Sequence, residues 1–199
     1  MIKHEDPLKS FIPTKNTKFI IFGTMVAINA RIIDGIHPKE DFFYYNNNRN
    51  HFWRVLQYLM NPKLNKQDSP EKFTIEQKKE FLNKHGIAII NLVKEAIVSN
   101  KDKLDPSDTV LFDAYKKNNI RFKKINSKTK ELIKTKPIFF TCRKKKGIDL
   151  LVDGFFQSNQ LDPKIKNNIW YWPTPTRCNP YDRSTIWKNE MKLHTKNYL

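Results

Sequence analysis

The sequence predicts an α/β fold, a three-layer sandwich in which a central, mostly parallel four-stranded sheet carries helices on both faces. Three observations predict it. Short apolar runs of strand length, such as Phe19-Ile20-Ile21-Phe22 and Ile87-Ala88-Ile89-Ile90, alternate with segments whose apolar residues recur at helical spacing. Strands separated by helices return to one sheet through crossover connections, which makes the sheet parallel and covers both faces. Finally, 39% of the 199 residues are hydrophobic and 13% aromatic, enough to fill a core. No internal repeat and no dividing linker is visible, so residues 1–199 are expected to form a single domain.

The elements follow in order. Lys18 to Gly23 reads as a buried strand ended by a glycine turn. Phe52, Val55, Leu56 and Leu59 fall on one helical face, giving a helix from His51 to Met60 that Asn61-Pro62 stops. Lys63 to Pro70 is a polar loop. Thr74 with Gln77 three residues later is a capping box for a second helix, and Gly86 ends it. Ile87 to Ile90 is a strand, followed by a helix through Val98. Asp105-Pro106-Ser107-Asp108 caps a helical pattern reaching Tyr115, and Ile120 to Ile125 has strand character. Ser127 to Lys134 is helical, Pro137 to Thr141 a strand, and Lys145 to Phe156 a helix. Ile169 to Trp172 is the last strand, broken by Pro173 and Pro175, and Arg183 to Leu193 is the closing helix.

In sheets of this kind ligands bind outside the carboxyl ends of the strands. That rule selects Gly23 to Ala27, the segment from Asn91 onward, and Pro173 to Asn179.

Charge narrows the partner. Lys and Arg number 37 against 20 Asp and Glu, a formal net charge of +17. Such an excess suits a polyanion, most simply nucleic acid. A coding bias toward lysine is the competing explanation, since 30 of the 37 are Lys. The apolar runs are far shorter than the roughly 20 residues of a membrane helix. No secretory signal opens the chain, and two cysteines, Cys142 and Cys178, make neither a disulfide framework nor a four-ligand zinc site. A reducing, intracellular setting is therefore expected: cytoplasm or nucleoid in a prokaryote, nucleus in a eukaryote.

The three segments hold the candidate chemistry. Phe22-Gly23-Thr24-Met25 follows a strand, and the glycine lets backbone amides approach a ligand closely, although a plain tight turn fits as well. Neither GxxxxGK[ST] nor GxGxxG is present, so this is not a phosphate loop. Phe42 to Trp53 runs aromatics into asparagines and Arg49 at a helix start. Aromatic faces stack on bases and carboxamides read base edges or hold water, whereas Phe52 and Trp53 read better as core. Asn50 fits a helix N-cap as well as a catalytic group, and His51 fits a structural role better than a catalytic one. Trp172 to Asn179 is a proline-stiffened loop that presents Thr174, Thr176, Arg177 and Asn179. It is suited to gripping phosphates, or is an ordinary solvated loop.

Taken together and in order, Gly23-Thr24-Met25, Tyr44-Tyr45 with Arg49-Asn50-His51-Phe52-Trp53, Gly86 to Asn91, Leu104-Asp105, and Trp172-Pro173-Thr174-Pro175-Thr176 with Asn179 resemble the uracil-DNA glycosylase superfamily. The pattern is most similar to its hypoxanthine-DNA glycosylase (DNA-deoxyinosine glycosylase) branch, over roughly residues 8 to 190. The Tyr-Tyr…Arg-Asn-x-Phe-Trp block is its most specific part. The chain departs from the pattern at Val26-Ala27, Asn48, Asn91 and Arg177, and from Ile28 to Phe42 it is longer.

The resemblance implies a monofunctional glycosylase of base excision repair. It would hydrolyse the N-glycosidic bond of hypoxanthine, uracil or xanthine flipped out of DNA, as a monomer, without cofactor, metal or membrane. It implies that Asn50 positions the attacking water. Gly23, Thr24, Met25, Tyr45 and Asn91 would line the base, while Thr174, Thr176, Arg177 and Asn179 would hold DNA, with Arg177 a candidate wedge. Asp105 is either a competing base or a helix cap. Two alternatives stand beside this: a catalytically inactive DNA-binding relative of the same fold, and a different nucleic-acid or nucleotide enzyme on the same scaffold.

Overall fold

The computed structural model describes residues 1–6, 8–14, 16–25, 32–33, 37–38, 43–44, 50–99, 108–144 and 146–194. At its centre lies a four-stranded, wholly parallel sheet of order β5-β2-β8-β9, formed by Ile87–Asn91, Phe19–Gly23, Ile138–Phe140 and Ile169–Tyr171. Alternation along each strand sorts side chains to two faces. Phe19 and Ile21 of β2 and Ile87 and Ile89 of β5 pack against α1 (Phe52–Met60), α2 (Ile75–His85) and α6 (Pro180–His194). Ile20, Phe22, Ala88 and Ile90 pack on the opposite face against α3 (Asp108–Lys116), α4 (Ser127–Thr135) and α5 (Lys146–Asn159). The three-layer α/β expectation is therefore met.

A second sheet was not foreseen. Ile2–Glu5 (β1), Val93–Val98 (β6) and Ile120–Phe122 (β7) form an antiparallel sheet of order β1-β6-β7. The expectation of a helix through Val98 is thus corrected. Val93, Ala96 and Val98 are buried, but so is Glu95, held by Lys3 at 3.0 Å and approached by Arg121 at 3.9 Å. A buried acid hides the strand's burial pattern, and the ladder partner β1 comes from the far end of the chain. Two-residue strands β3 (Ile32–Ile33) and β4 (His37–Pro38) pair with each other.

Local signals elsewhere held. The Thr74–Gln77 capping box forms in both directions, and Gly86 ends α2 in the left-handed region with φ 67°. A Cβ there would lie 2.5 Å from the Asn16 carbonyl oxygen, so position 86 requires glycine twice over. The helix α1 begins at Phe52, with His51 as cap, one residue later than the spacing suggests. The helix α6 begins earlier, at Pro180.

Candidate active site

All four central strands point their carboxyl ends to one edge, and the singled-out segments meet there. Gly23 is in register with Asn91. Beyond them Leu92 N–H donates to the Gly23 carbonyl and Val93 N–H to the Thr24 carbonyl, each at 2.9 Å, so the ends of β2 and β5 are stapled together. By alternation the Asn91 side chain and the missing Gly23 side chain belong to the α1/α6 face. Thr24 Oγ1 donates to Asp108 Oδ1 at 2.7 Å, and the Met25 side chain packs on the opposite core.

The segment from Asn50 reaches the same edge from the α1 side. Asn50 pairs with Thr176 in an antiparallel bridge, and His51 N–H donates to the Pro175 carbonyl at 2.9 Å. Asn50 is half-buried, and its Oδ1 accepts Phe52 N–H at 2.9 Å. The N-cap of α1 is His51 and not Asn50, so the Asn50 carboxamide closes a short turn onto the first helical amide instead of capping the helix. A carbonyl oxygen has two lone pairs, so this bond fixes the group and leaves one for a further donor. The His51 imidazole is held below its ordinary pKa by burial and then by the nearby Arg54 charge, which keeps it neutral at pH 7.

The loop after β9 is anchored from beneath. Trp172 stacks on Phe139 at 4.3 Å and on Trp187 of α6 at 4.2 Å, and Trp187 Nε1 donates to the Pro173 carbonyl at 2.9 Å. Above this floor Thr174 and Thr176 hydroxyls lie 3.2 Å apart. Arg177 is exposed with φ 51°, a left-handed conformation that costs a non-glycine residue about 1–2 kcal/mol. Asn179 caps α6, its Oδ1 accepting from Tyr181 N–H at 3.0 Å and Asp182 N–H at 3.2 Å. Tyr44, by contrast, is wholly buried, donating from its hydroxyl to the Lys9 carbonyl at 2.8 Å and accepting Trp53 Nε1–H on its own carbonyl. Tyr45, Val26-Ala27, Asn48, Arg49, Leu104 and Asp105 lie outside the described residues.

Asp6 and Lys123, which the sequence did not single out, hold Asn91 at this edge. Asn91 is 1% exposed; its Nδ2 donates to Asp6 Oδ2 at 2.8 Å, and Lys123 Nζ lies 3.2 Å from the same carboxylate oxygen. Nothing local joins positions 6, 91 and 123, so no sequence signal could have found this. The run Arg143-Lys144-Lys145-Lys146 was legible as a charge cluster after a strand. It leaves β8, which sits between β2 and β9, so Arg143 and Lys144 stand exposed mid-edge, with Lys144 Nζ 5.9 Å from the Tyr171 ring centre. A groove of about 440 Å³ between α3 and α5, lined by Tyr115, Phe122, Gly154 and Gln157 among others, is built from none of these edge segments. Among the described residues no group of three His, Cys, Asp or Glu side chains could hold a metal ion, and no helix is long and apolar enough to cross a membrane.

No family model matches the sequence, and none of the curated proteins does. Among solved structures the chain is similar to a candidate uracil DNA glycosylase from Methanosarcina acetivorans, determined in solution by NMR. The two are 16% identical, with 92% of this chain and 95% of that chain covered and a TM-score of 0.46. At that degree of likeness no residue role passes from one chain to the other.

Proposed function

We propose that the chain is a monofunctional DNA glycosylase that releases a deaminated base, hypoxanthine, uracil or xanthine, flipped out of DNA. One observation carries this reading. The Asn50 segment is bridged to the Thr174–Asn179 loop, which leaves β9 at the same carboxyl edge of the sheet at which Gly23 and Asn91 end β2 and β5. The basic excess and the exposed Arg143 and Lys144 at the same edge supply an electrostatic grip on phosphate.

In the reaction a water oxygen bonds to the sugar C1′ as the C1′–N bond breaks. The bonding pair leaves on the base, which takes up one proton; water gives up one proton and keeps the other in the new C1′ hydroxyl. Glycosidic bonds break through oxocarbenium-like transition states, so the demand on the protein is to place water and tolerate a cation. Asn50 meets the first demand. Its Oδ1, held by the Phe52 amide, presents its second lone pair to a water hydrogen. Turn closure and water-holding are thus one geometry rather than rival roles. A carboxamide does not deprotonate water at neutral pH, so it acts by placement. Flipping costs a few kcal/mol and least for mispaired bases, which adds selectivity before any pocket contact. Thr174, Thr176, Arg177 and Asn179 hold the flanking backbone.

The test is a panel of duplexes, each with one hypoxanthine, uracil or xanthine, incubated with enzyme in excess and then treated with alkali. Strand breaks at a lesion are expected. None at any lesion, with duplex binding intact, would instead identify a catalytically inactive DNA-binding relative. Borohydride trapping is expected to yield no covalent adduct, since a trapped one would reveal a Schiff-base lysine.

A further inference from the structure

We propose that the groove between α3 and α5 is a second nucleic-acid site, one that holds an unpaired nucleotide of a single strand, apart from the carboxyl edge. Its place follows from the two helices. Asp108 opens α3 at that edge, where Thr24 bonds to it, and Lys146 opens α5 just after β8. Lys116 and Gly154, which line the groove, each stand eight residues further along, roughly 12 Å away at the helical rise. The groove holds about 440 Å³, within the range of small-ligand sites and room for one nucleotide.

The floor is aromatic and closes around a missing side chain. A Cβ on Gly154 would lie 2.4 Å from the Phe122 ring and 2.8 Å from the Tyr115 ring, so glycine is what lets both rings settle onto α5. The two rings are half-buried, with centres 5.9 Å apart and planes at 62°. A base stacked on one therefore meets the other nearly edge-on, and both arrangements are favourable. The walls are polar. Exposed Asn118 and Gln157 supply carboxamides, which pair with donors or acceptors on a base edge. Cations stand on both sides. Lys116 ends α3 and Lys117 follows it, while Lys124 Nζ is held by Ser158 Oγ of α5 at 3.0 Å. Lys116 is shared with Asp113 at 3.8 Å. Among the described residues no carboxylate lines the groove, and none forms an ion pair with Lys117 or Lys124. The carboxyl ends of α3 and α5 disfavour an anion here, and these lysines offset them. Rings to stack on, flanked by cations, are what single strands require, and a duplex keeps its base faces covered.

The test is made on the full chain with an unmodified duplex in excess, which occupies the carboxyl edge and offers the groove no unpaired base. A thymidylate hexamer carrying one 5-iodo-deoxyuridine is cross-linked by near-ultraviolet light and mapped by mass spectrometry. Adducts are expected at Tyr115 or Phe122. Adducts confined to the Asn50 segment or the Thr174–Asn179 loop, or none at all, would overturn the proposal. Anisotropy gives an independent reading. Tyr115→Leu is expected to weaken hexathymidylate by about 5- to 100-fold, the loss of one stacked base. Binding of a base-free hexamer of abasic phosphodiester units is expected to stay as in the wild type. Equal loss for both hexamers, or loss for neither, would overturn the proposal. Lys124→Glu, on the exposed rim, serves where Tyr115→Leu does not fold. It is expected to weaken both hexamers, and unchanged binding of both would count against the groove. Thymidine monophosphate is expected to compete far more weakly than the hexamer, since it offers one phosphate to cations spread over two walls. Equal competition would make this a free-nucleotide site and overturn the single-strand assignment. Base release from a lesion duplex is expected to match wild type in both variants, so this site stands or falls apart from the glycosylase reading.

Discussion

At residue scale the candidate site turns on polar atoms with two duties. Asn50 Oδ1 holds the Phe52 amide and, as a carbonyl oxygen, has a second lone pair for a further donor. Arg177 differs: it is exposed and its backbone is strained at φ 51°. Backbone strain of this kind concentrates where function needs a particular projection. Replacing Arg177→Gly is expected to leave the urea midpoint nearly unchanged, because relief of strain and the greater freedom of the unfolded glycine offset within about 1 kcal/mol. Duplex affinity is expected to fall in a filter or anisotropy titration. A midpoint shift with unchanged affinity would make Arg177 a fold residue instead.

The elements differ in how openly their sequences declare them. The helix α2 is announced by Thr74, Gln77 and Gly86, because capping and a left-handed C-terminus are short-range chemistry. Gly86→Ala is expected to destabilise by more than about 1 kcal/mol in denaturant melts, since it meets both an unfavourable φ and the Asn16 carbonyl. The strand β6 is not announced. Its buried Glu95 breaks the apolar pattern, and its partner β1 is fixed only by tertiary pairing. The same limit hid Asp6 and Lys123, whose meaning arises only when three distant segments close around Asn91. Alternating strands and helices, by contrast, disclosed the central sheet, and its carboxyl-edge rule located Gly23, Asn91 and the Thr174–Asn179 loop. The loop between β8 and α5 carries its own prediction. Each phosphate contact contributes about −0.9 to the slope of log affinity against log salt. Arg143→Ala/Lys144→Ala is expected to flatten that slope by about 2, and an unchanged slope would remove the loop from the DNA path.

For the molecule as a whole, net charge and histidine burial set the response to solution conditions. With a net charge of +17, duplex affinity is expected to fall by orders of magnitude between low and moderate salt. Both His51 and His85 are held below the ordinary 6.5, chiefly by burial, with neighbouring Arg54, Lys84 and Lys18 adding to it. The unfolded chain therefore binds more protons than the folded one as pH drops below about 6.5. These two groups add no pH dependence above that range and progressively destabilise the fold below it. Thermal midpoints are expected to decline from pH 7 to pH 5, and His85→Gln is expected to shrink the decline. The central claim, that the fold aims a water at C1′ through Asn50, is tested most directly by single-turnover base release from a lesion duplex by wild type and Asn50→Ala in parallel. The account predicts release by the wild type and a loss of at least about 100-fold in the variant, with duplex affinity kept and stability lowered by about 1 kcal/mol. Equal release by both proteins, or none by either, would contradict it.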